Sequence, residues 1–283
     1  MDYITLNNGV KMPKIGYGVY QISNAAACEQ CVLDAIHIGY RLIDTAQAYM
    51  NEEAVGNAVK ACGVSREELF ITTKIWITNG GYEKAKKSID ASLKKLQMEY
   101  IDLMLIHQPF NDYYGTYRAM EDAYREGKLR AIGVSNFYPD RFIDLSHFVE
   151  IQPAVNQVET HVFQQQKKAH EIMAKYGTIH ESWGPFAEGR KDFFTNSILK
   201  HIGEKYNKST AQVALRFLLQ NNIIVIPKSV HKDRMKQNFD IFDFVLAEED
   251  MQRITKIDEE KSLFFSHYDP KLVEMLVSYK PDI

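Results

Sequence analysis

The chain is poor in cysteine: 283 residues contain three, at Cys28, Cys31 and Cys62. Cys28 and Cys31 stand as C-x-x-C, the spacing of a redox dithiol or half a zinc site. They fall inside a stretch with helical periodicity, Ala25 to Ile38, and one further cysteine cannot complete a four-thiolate site. The pair therefore reads as packing. His-Glu-x-x-His is missing too, since His170-Glu171 and His180-Glu181 each lack the second histidine, so no metal is expected. An excess of one charge is also lacking. Lys and Arg number 34 against 37 Asp and Glu, for a formal net charge of -3. That balance gives no reason to expect nucleic acid or an anionic membrane surface as a partner. No apolar run approaches the ~20 residues of a bilayer span. The opening Met1-Asp2-Tyr3-Ile4-Thr5 lacks the basic start and apolar core of a secretory signal. Together these absences point to a reducing cytoplasm.

What is present is a regular alternation. Ile4, Leu6, Val10 and Met12 flank Asn7-Asn8-Gly9, which predicts an N-terminal hairpin over residues 3–15. Eight short apolar runs follow, predicting strands at Ile15–Gly18, Leu42–Asp44, Phe70–Lys74, Ile101–His107, Ala131–Ser135, Ala154–Glu159, Thr178–Trp183 and Ile223–Pro227. Helical patterns separate them: Ala25–Ile38, Glu52–Cys62, Tyr82–Leu96, Tyr114–Glu126, Pro139–Phe148, Gln165–Tyr176 and Thr210–Gln220, with another after the last strand. Gly39, Gly63, Gly127 and Gly177 are placed to close four of these helices. Runs that are apolar on both faces suit a parallel sheet buried on both sides.

Eight βα units at 45% hydrophobic residues predict an α/β protein, a (β/α)8 TIM barrel spanning residues 1–283 as one domain. The rival is an open doubly wound sheet. Its glycine-rich fingerprint fails, because Gly16-Tyr17-Gly18-Val19-Tyr20-Gln21 lacks the third glycine. Trp183 through Asn207 reads as a loop plus a short extra helix, 247–259 as an additional C-terminal helix, and 262–283 as an irregular aromatic tail.

In such a barrel, chemistry sits where strands end. Strand two delivers Asp44, with Tyr49 about one turn later, before Asn51, a candidate helix cap. Strand three delivers Lys74 and strand four His107. An ammonium after an apolar run needs a partner, and Asp44 on the neighbouring strand can supply it. A cation beside Tyr49 is expected to lower its pKa. Asp44, Tyr49, Lys74 and His107 thus form one proton-donating constellation suited to polarising and protonating a carbonyl oxygen. Tyr82 and Lys86 have the Tyr-x-x-x-Lys spacing of a short-chain dehydrogenase, but lie on a Lys-rich helix with no glycine-rich turn.

The strand-end motifs Asp44-Thr45-Ala46-x-x-Tyr49, Thr73-Lys74-Ile75-Trp76, Leu105-Ile106-His107-x-Pro109, Gly133-Val134-Ser135-Asn136-Phe137 and Ile226-Pro227-Lys228-Ser229 resemble the aldo-keto reductase family. The resemblance implies a (β/α)8 barrel that reduces aldehydes and ketones with NADPH, with Tyr49 as the acid. It also implies carbonyl rather than carbon–carbon double-bond reduction, since His107 is retained. Family members lean towards monomers, and some act as NADPH-binding regulatory subunits with little turnover.

Hydride has to come from a cofactor, because no side chain supplies it. Ser135, Asn136 and Gln157 suit a carboxamide, and Trp183 offers a face for a nicotinamide ring. Pro185 and Phe186 begin a loop expected over the pyrophosphate. Lys228, Ser229, Val230, His231 and Arg234, with Gln237 and Asn238, stand where the family holds the adenosine 2′-phosphate and adenine. NADPH/NADP+ is therefore expected over NADH. Tyr20 and Gln108 depart from the tryptophans common in the family. With Trp76 and His107 they are expected to line the mouth for a small-molecule carbonyl substrate.

Overall fold

The computed structural model describes residues 2–283; Met1 lies outside the described residues. A hairpin of β1 (Tyr3–Thr5) and β2 (Lys11–Pro13) comes first. Eight parallel strands follow: β3 (Gly16–Gly18), β4 (Leu42–Asp44), β5 (Phe70–Ile75), β6 (Leu103–Ile106), β7 (Ile132–Ser135), β8 (Val155–Glu159), β9 (Ile179–Trp183) and β10 (Ile224–Val225). Each pairs with the next in chain order. The two ends meet through an Ile15–Val225 bridge and a Gly18 N–H to Pro227 carbonyl bond of 3.3 Å. The sheet is thus a closed barrel, and the open doubly wound alternative falls.

The helices are α1 (Ala25–Ile38), α2 (Glu52–Ala61), α3 (Tyr82–Leu96), α4 (Tyr113–Arg125), α5 (Pro139–Phe148), α6 (Lys167–Lys175), α7 (Ser197–Tyr206), α8 (Thr210–Gln220), α9 (Lys232–Phe239), α10 (Glu248–Thr255) and α11 (Pro270–Ser278). Their bounds follow local chemistry. The Asn24 side chain accepts the Ala27 N–H, and Gly39 ends α1 at φ 126, a conformation open to glycine. Ser209 and Gln212 close a reciprocal capping box on α8. Two expectations fail here. Asn51 precedes α2 but does not cap it; its side chain is drawn instead to Thr45 Oγ1 and the Val19 carbonyl. The tail is not irregular throughout, since α11 occupies its middle.

Two apolar layers result. Leu42, Leu103, Leu105, Val155 and Ile224 fill the barrel interior with Leu6 and Met12 from the hairpin. Asn8 Nδ2 donates to the Arg130 carbonyl at 2.8 Å and Asn7 Nδ2 to the Pro153 carbonyl at 3.2 Å, so the hairpin plugs the end where strands begin. Ile43, Ile71, Met104, Ile132 and Val134 face the helices instead. Side chains two apart share a face of a strand. Leu42 inside therefore puts Asp44 inside, and Val155 puts Gln157 inside. On β4 and β8 the interior turns from hydrocarbon to polar side chains within one step along the strand.

Candidate active site

Asp44 and Lys74 meet at that step. Lys74 Nζ donates to Asp44 Oδ1 at 2.6 Å and Oδ2 at 2.8 Å, and to the Thr45 carbonyl at 2.9 Å. Both side chains are buried. Burial works to lower the Lys74 pKa, but Asp44 and Tyr49 outweigh it and hold the ammonium above its ordinary value. Neither charge could stay buried without the other.

A single 3₁₀ turn, Gln47–Tyr49, then swings Tyr49 over the pair. Gln47 pins this turn: its Oε1 accepts the Trp76 N–H at 3.0 Å and its Nε2 donates to Ser92 Oγ at 3.1 Å. The Tyr49 hydroxyl lies 3.4 Å from Lys74 Nζ, with the ammonium 4.9 Å from the ring centre. The expected fall in the Tyr49 pKa is not seen. Burial is the larger effect and pushes the phenol up to about 12, with Lys74 pulling it back. The phenol consequently carries its proton at neutral pH. His107 is packed edge-on against Tyr49 at 5.6 Å and Trp76 at 5.1 Å. Burial, then Lys74, keeps its imidazole neutral, and its buried Nδ1 has no protein partner. The four residues read from strand ends thus stand together.

Ser135, Asn136 and Gln157 line the same wall, but their donors are already committed. Ser135 Oγ donates to the Gln157 carbonyl, and Asn136 Nδ2 to the His107 carbonyl and Ser135 Oγ. Gln157 Nε2 spans Asp44 Oδ2 and Glu181 Oε2, each at 2.9 Å. What remains is acceptor capacity, which suits the amino half of a carboxamide. Trp183 Nε1 donates to Asn136 Oδ1 at 2.9 Å. Its ring is not bare, because Phe265 stacks on it at 5.6 Å. Pro185 is buried, and Phe186 packs on Phe193 and Phe194.

Beyond β10, Ser229 is fixed by the Tyr17 hydroxyl, which donates to its carbonyl at 2.6 Å. Val230, His231, Arg234 and Gln237 are exposed, Lys228 is half-buried, and Asn238 is buried. His231 stands at the N-cap of α9 without capping it. Lys228 and Arg234 have no carboxylate partner among the described residues, whereas Lys232 beside them is paired with Asp34. Two free cations next to an uncapped helix start fit a phosphate monoester.

The mouth is walled by Tyr20, its ring 5.0 Å from Tyr49, and by Trp76 and Gln108. The tail roofs it through His267 and Tyr279. The Tyr279 carbonyl accepts the Trp76 indole N–H at 3.1 Å. His267 meets Gln108 Oε1 at 3.0 Å and stacks on Tyr138 at 4.6 Å. Burial lowers its pKa to about 4, so it meets Gln108 as a neutral ring. Glu159 at the end of β8 holds the tail by accepting from Ser262 Oγ and the Leu263 N–H.

Glu181 is the residue with no assigned role. It is fully buried, its Oε1 lacks a partner, and burial reinforced by Asp44 pushes its carboxyl up to about 8. Cys28 and Cys31 are buried free thiols. Burial pushes the Cys28 thiol up to about 12, in keeping with packing. Among the described residues, no helix is long and apolar enough to cross a membrane.

Comparison with known proteins agrees with this geometry. Residues 9–259 match the family model described as the aldo/keto reductase family. Glyoxal reductase of Bacillus subtilis is 45% identical over 261 residues, covering 92% of this chain and 94% of its own. An aldo-keto reductase enzyme from a Medee basin deep-sea metagenome superposes with a TM-score of 0.91 at 42% identity, over 94% of this chain and 98% of its own. A Bombyx mori aldo-keto reductase crystallised in complex with NADP gives a TM-score of 0.87 at 34% identity, over 92% of this chain and 94% of its own. The chain therefore belongs to the aldo/keto reductase family.

Proposed function

We propose that this protein is an NADP(H)-dependent reductase of small aldehydes and ketones, with Tyr49 as proton donor. The observation that carries the reading is Lys74 Nζ, bonded to Asp44 and 3.4 Å from the Tyr49 hydroxyl at the barrel mouth. NADPH, when bound, supplies the hydride. Everything else falls to the chain. The protonated phenol and the neutral His107 imidazole face the space where a carbonyl oxygen gathers negative charge, and hydrogen bonds to that oxygen stabilise it. Lys74 then stabilises the phenolate that the departing proton leaves behind. Asp44 keeps Lys74 charged, and Gln157 keeps Asp44 in place. Trp76, Phe265 and the His267 roof exclude water, which strengthens each of these interactions.

Lys228 and Arg234 would hold a 2′-phosphate, with Ser229, Val230, His231, Gln237 and Asn238 around the adenosine. Trp183, Ser135 and Asn136 would orient the nicotinamide, and Pro185 and Phe186 would border the pyrophosphate. Tyr20, Trp76 and Gln108 would contact the substrate. A polar wall at Gln108 and His267, together with the similarity to a glyoxal reductase, favours compact, polar aldehydes such as α-dicarbonyls. The quartet comes entirely from one chain, which suits a monomer, and unpaired cysteines suit a reducing cytoplasm.

The test is loss of NADPH absorbance with glyoxal, methylglyoxal and bulkier aromatic aldehydes. Turnover favouring the small dicarbonyls is expected. Tight NADPH binding with no turnover on any aldehyde would replace the reductase with a cofactor-binding regulator.

A further inference from the structure

The site holds one more ionisable group than the chemistry above uses. Glu181 faces inward from β9, and its titratable or charged neighbours are Asp44 and Lys74, with Tyr49 and His107 beyond them. Its β8 neighbour contributes the neutral Gln157 and its β10 neighbour Ile224. Glu159, at the far end of β8, is taken up by the tail and His161. The two carboxyls share one amide: Gln157 Nε2 gives a hydrogen to each, at 2.9 Å. Their other partners differ sharply. Asp44 receives two contacts from the Lys74 ammonium. Glu181 receives only the amide on Oε2, and its buried Oε1 receives nothing. One cation cannot balance two buried anions, so the proton belongs on Glu181.

We propose that Glu181 is a positioning residue that acts on Tyr49 through Gln157, Asp44 and Lys74. Protonated, it leaves the Asp44–Lys74 pair balanced and lets the phenol release its proton; ionised, it adds a second anion and holds that proton back. The sign follows from charge alone. An extra buried anion near Lys74 makes phenolate less favourable, so Tyr49 becomes a weaker acid and reduction slows. Its ordinary titration would lie far below neutrality; burial and Asp44 move it into the mildly alkaline range. Glu181 therefore sets the alkaline limb of reduction, well before Tyr49 itself ionises. A charge screened as in a partly hydrated interior alters the acidity of a group so placed by roughly tenfold.

This inference rests on the reductase reading, and its first test needs no turnover. Infrared difference titration of the wild-type protein is expected to show a protonated carboxylic-acid C=O band at neutral pH. The band should vanish in mildly alkaline solution and be absent from Glu181→Gln. Identical spectra for the two proteins would overturn the proposal. The second test compares kcat for reduction in mildly alkaline and neutral solution. In the wild type kcat is expected to be roughly threefold lower in mildly alkaline than in neutral solution, because about half of the roughly tenfold acidity change is felt on a logarithmic scale at the transition state, and in Glu181→Gln the two values should be nearly equal. A variant impaired equally at both pH values, with the wild-type ratio kept, would make Glu181 a packing residue only and overturn the proposal. A protein with the band but no turnover would sink the reductase reading instead.

Discussion

Replacing Lys74 by Met separates charge from shape at the centre of the site. Met matches the Lys stem in length and apolar character, so packing is roughly kept. The ammonium is lost. At 3.4 Å from the Tyr49 hydroxyl and an effective dielectric of about 20, it attracts a full phenolate by about 5 kcal/mol. If half that charge has developed at the transition state, about 2.4 kcal/mol disappears, and kcat falls by about sixtyfold. A second loss runs beside the first. Asp44 stays buried with its charge answered by Gln157 alone, an uncompensated anion that costs about 3–5 kcal/mol of stability. Single-turnover NADPH oxidation reads the first loss and thermal melting reads the second. The double variant Lys74→Met, Asp44→Asn distinguishes them. It removes both charges, so stability should largely return while turnover does not. A Lys74→Met enzyme with normal kcat and a raised KM would refute the reasoning, because Lys74 would then bind substrate rather than stabilise the phenolate.

Other outcomes follow from the same geometry. Tyr49→Phe should lower reduction by at least about a hundredfold while NADPH binding, read by fluorescence, stays within about twofold; normal turnover would remove Tyr49 from its role. Arg234→Ala and Lys228→Ala should each raise KM for NADPH by roughly tenfold or more and leave KM for NADH nearly unchanged. Equal effects on both cofactors would place the 2′-phosphate elsewhere. Gly133→Ala should destabilise by about 2–3 kcal/mol, because the added Cβ would sit 2.4 Å from the Val155 carbonyl in the neighbouring strand. An unchanged melting temperature would show that β7 and β8 can part at no cost.

The barrel and its quartet were legible because their signals are local. A short apolar run bounded by glycine marks a strand, and in a parallel barrel its last residue marks the rim. Asp44, Lys74 and His107 could be placed by counting. The tail helix was legible too, but was missed. Asp269 accepting the Lys271 N–H with Pro270 at the first position is a helix start, and Leu272, Val273 and Leu276 supply the apolar spacing. The link from Glu181 to Asp44 was not legible. It depends on Gln157 standing beside Glu181 in the β8–β9 register and reaching across the barrel to a residue 113 positions away. The Tyr49 acidity was misjudged for a related reason. A neighbouring cation can be read from adjacent strand ends, but the burial that outweighs it comes from packing against the rim, with Tyr20 and His107 against the ring.

The roof also bears on how the protein is made. Trp76 is secured by a carbonyl 203 positions further along the chain. On the ribosome, every barrel strand through Val225 can emerge and close while Tyr279 is still inside the exit tunnel. The cylinder and its roof are thus supplied by segments of the chain that are synthesised at different times.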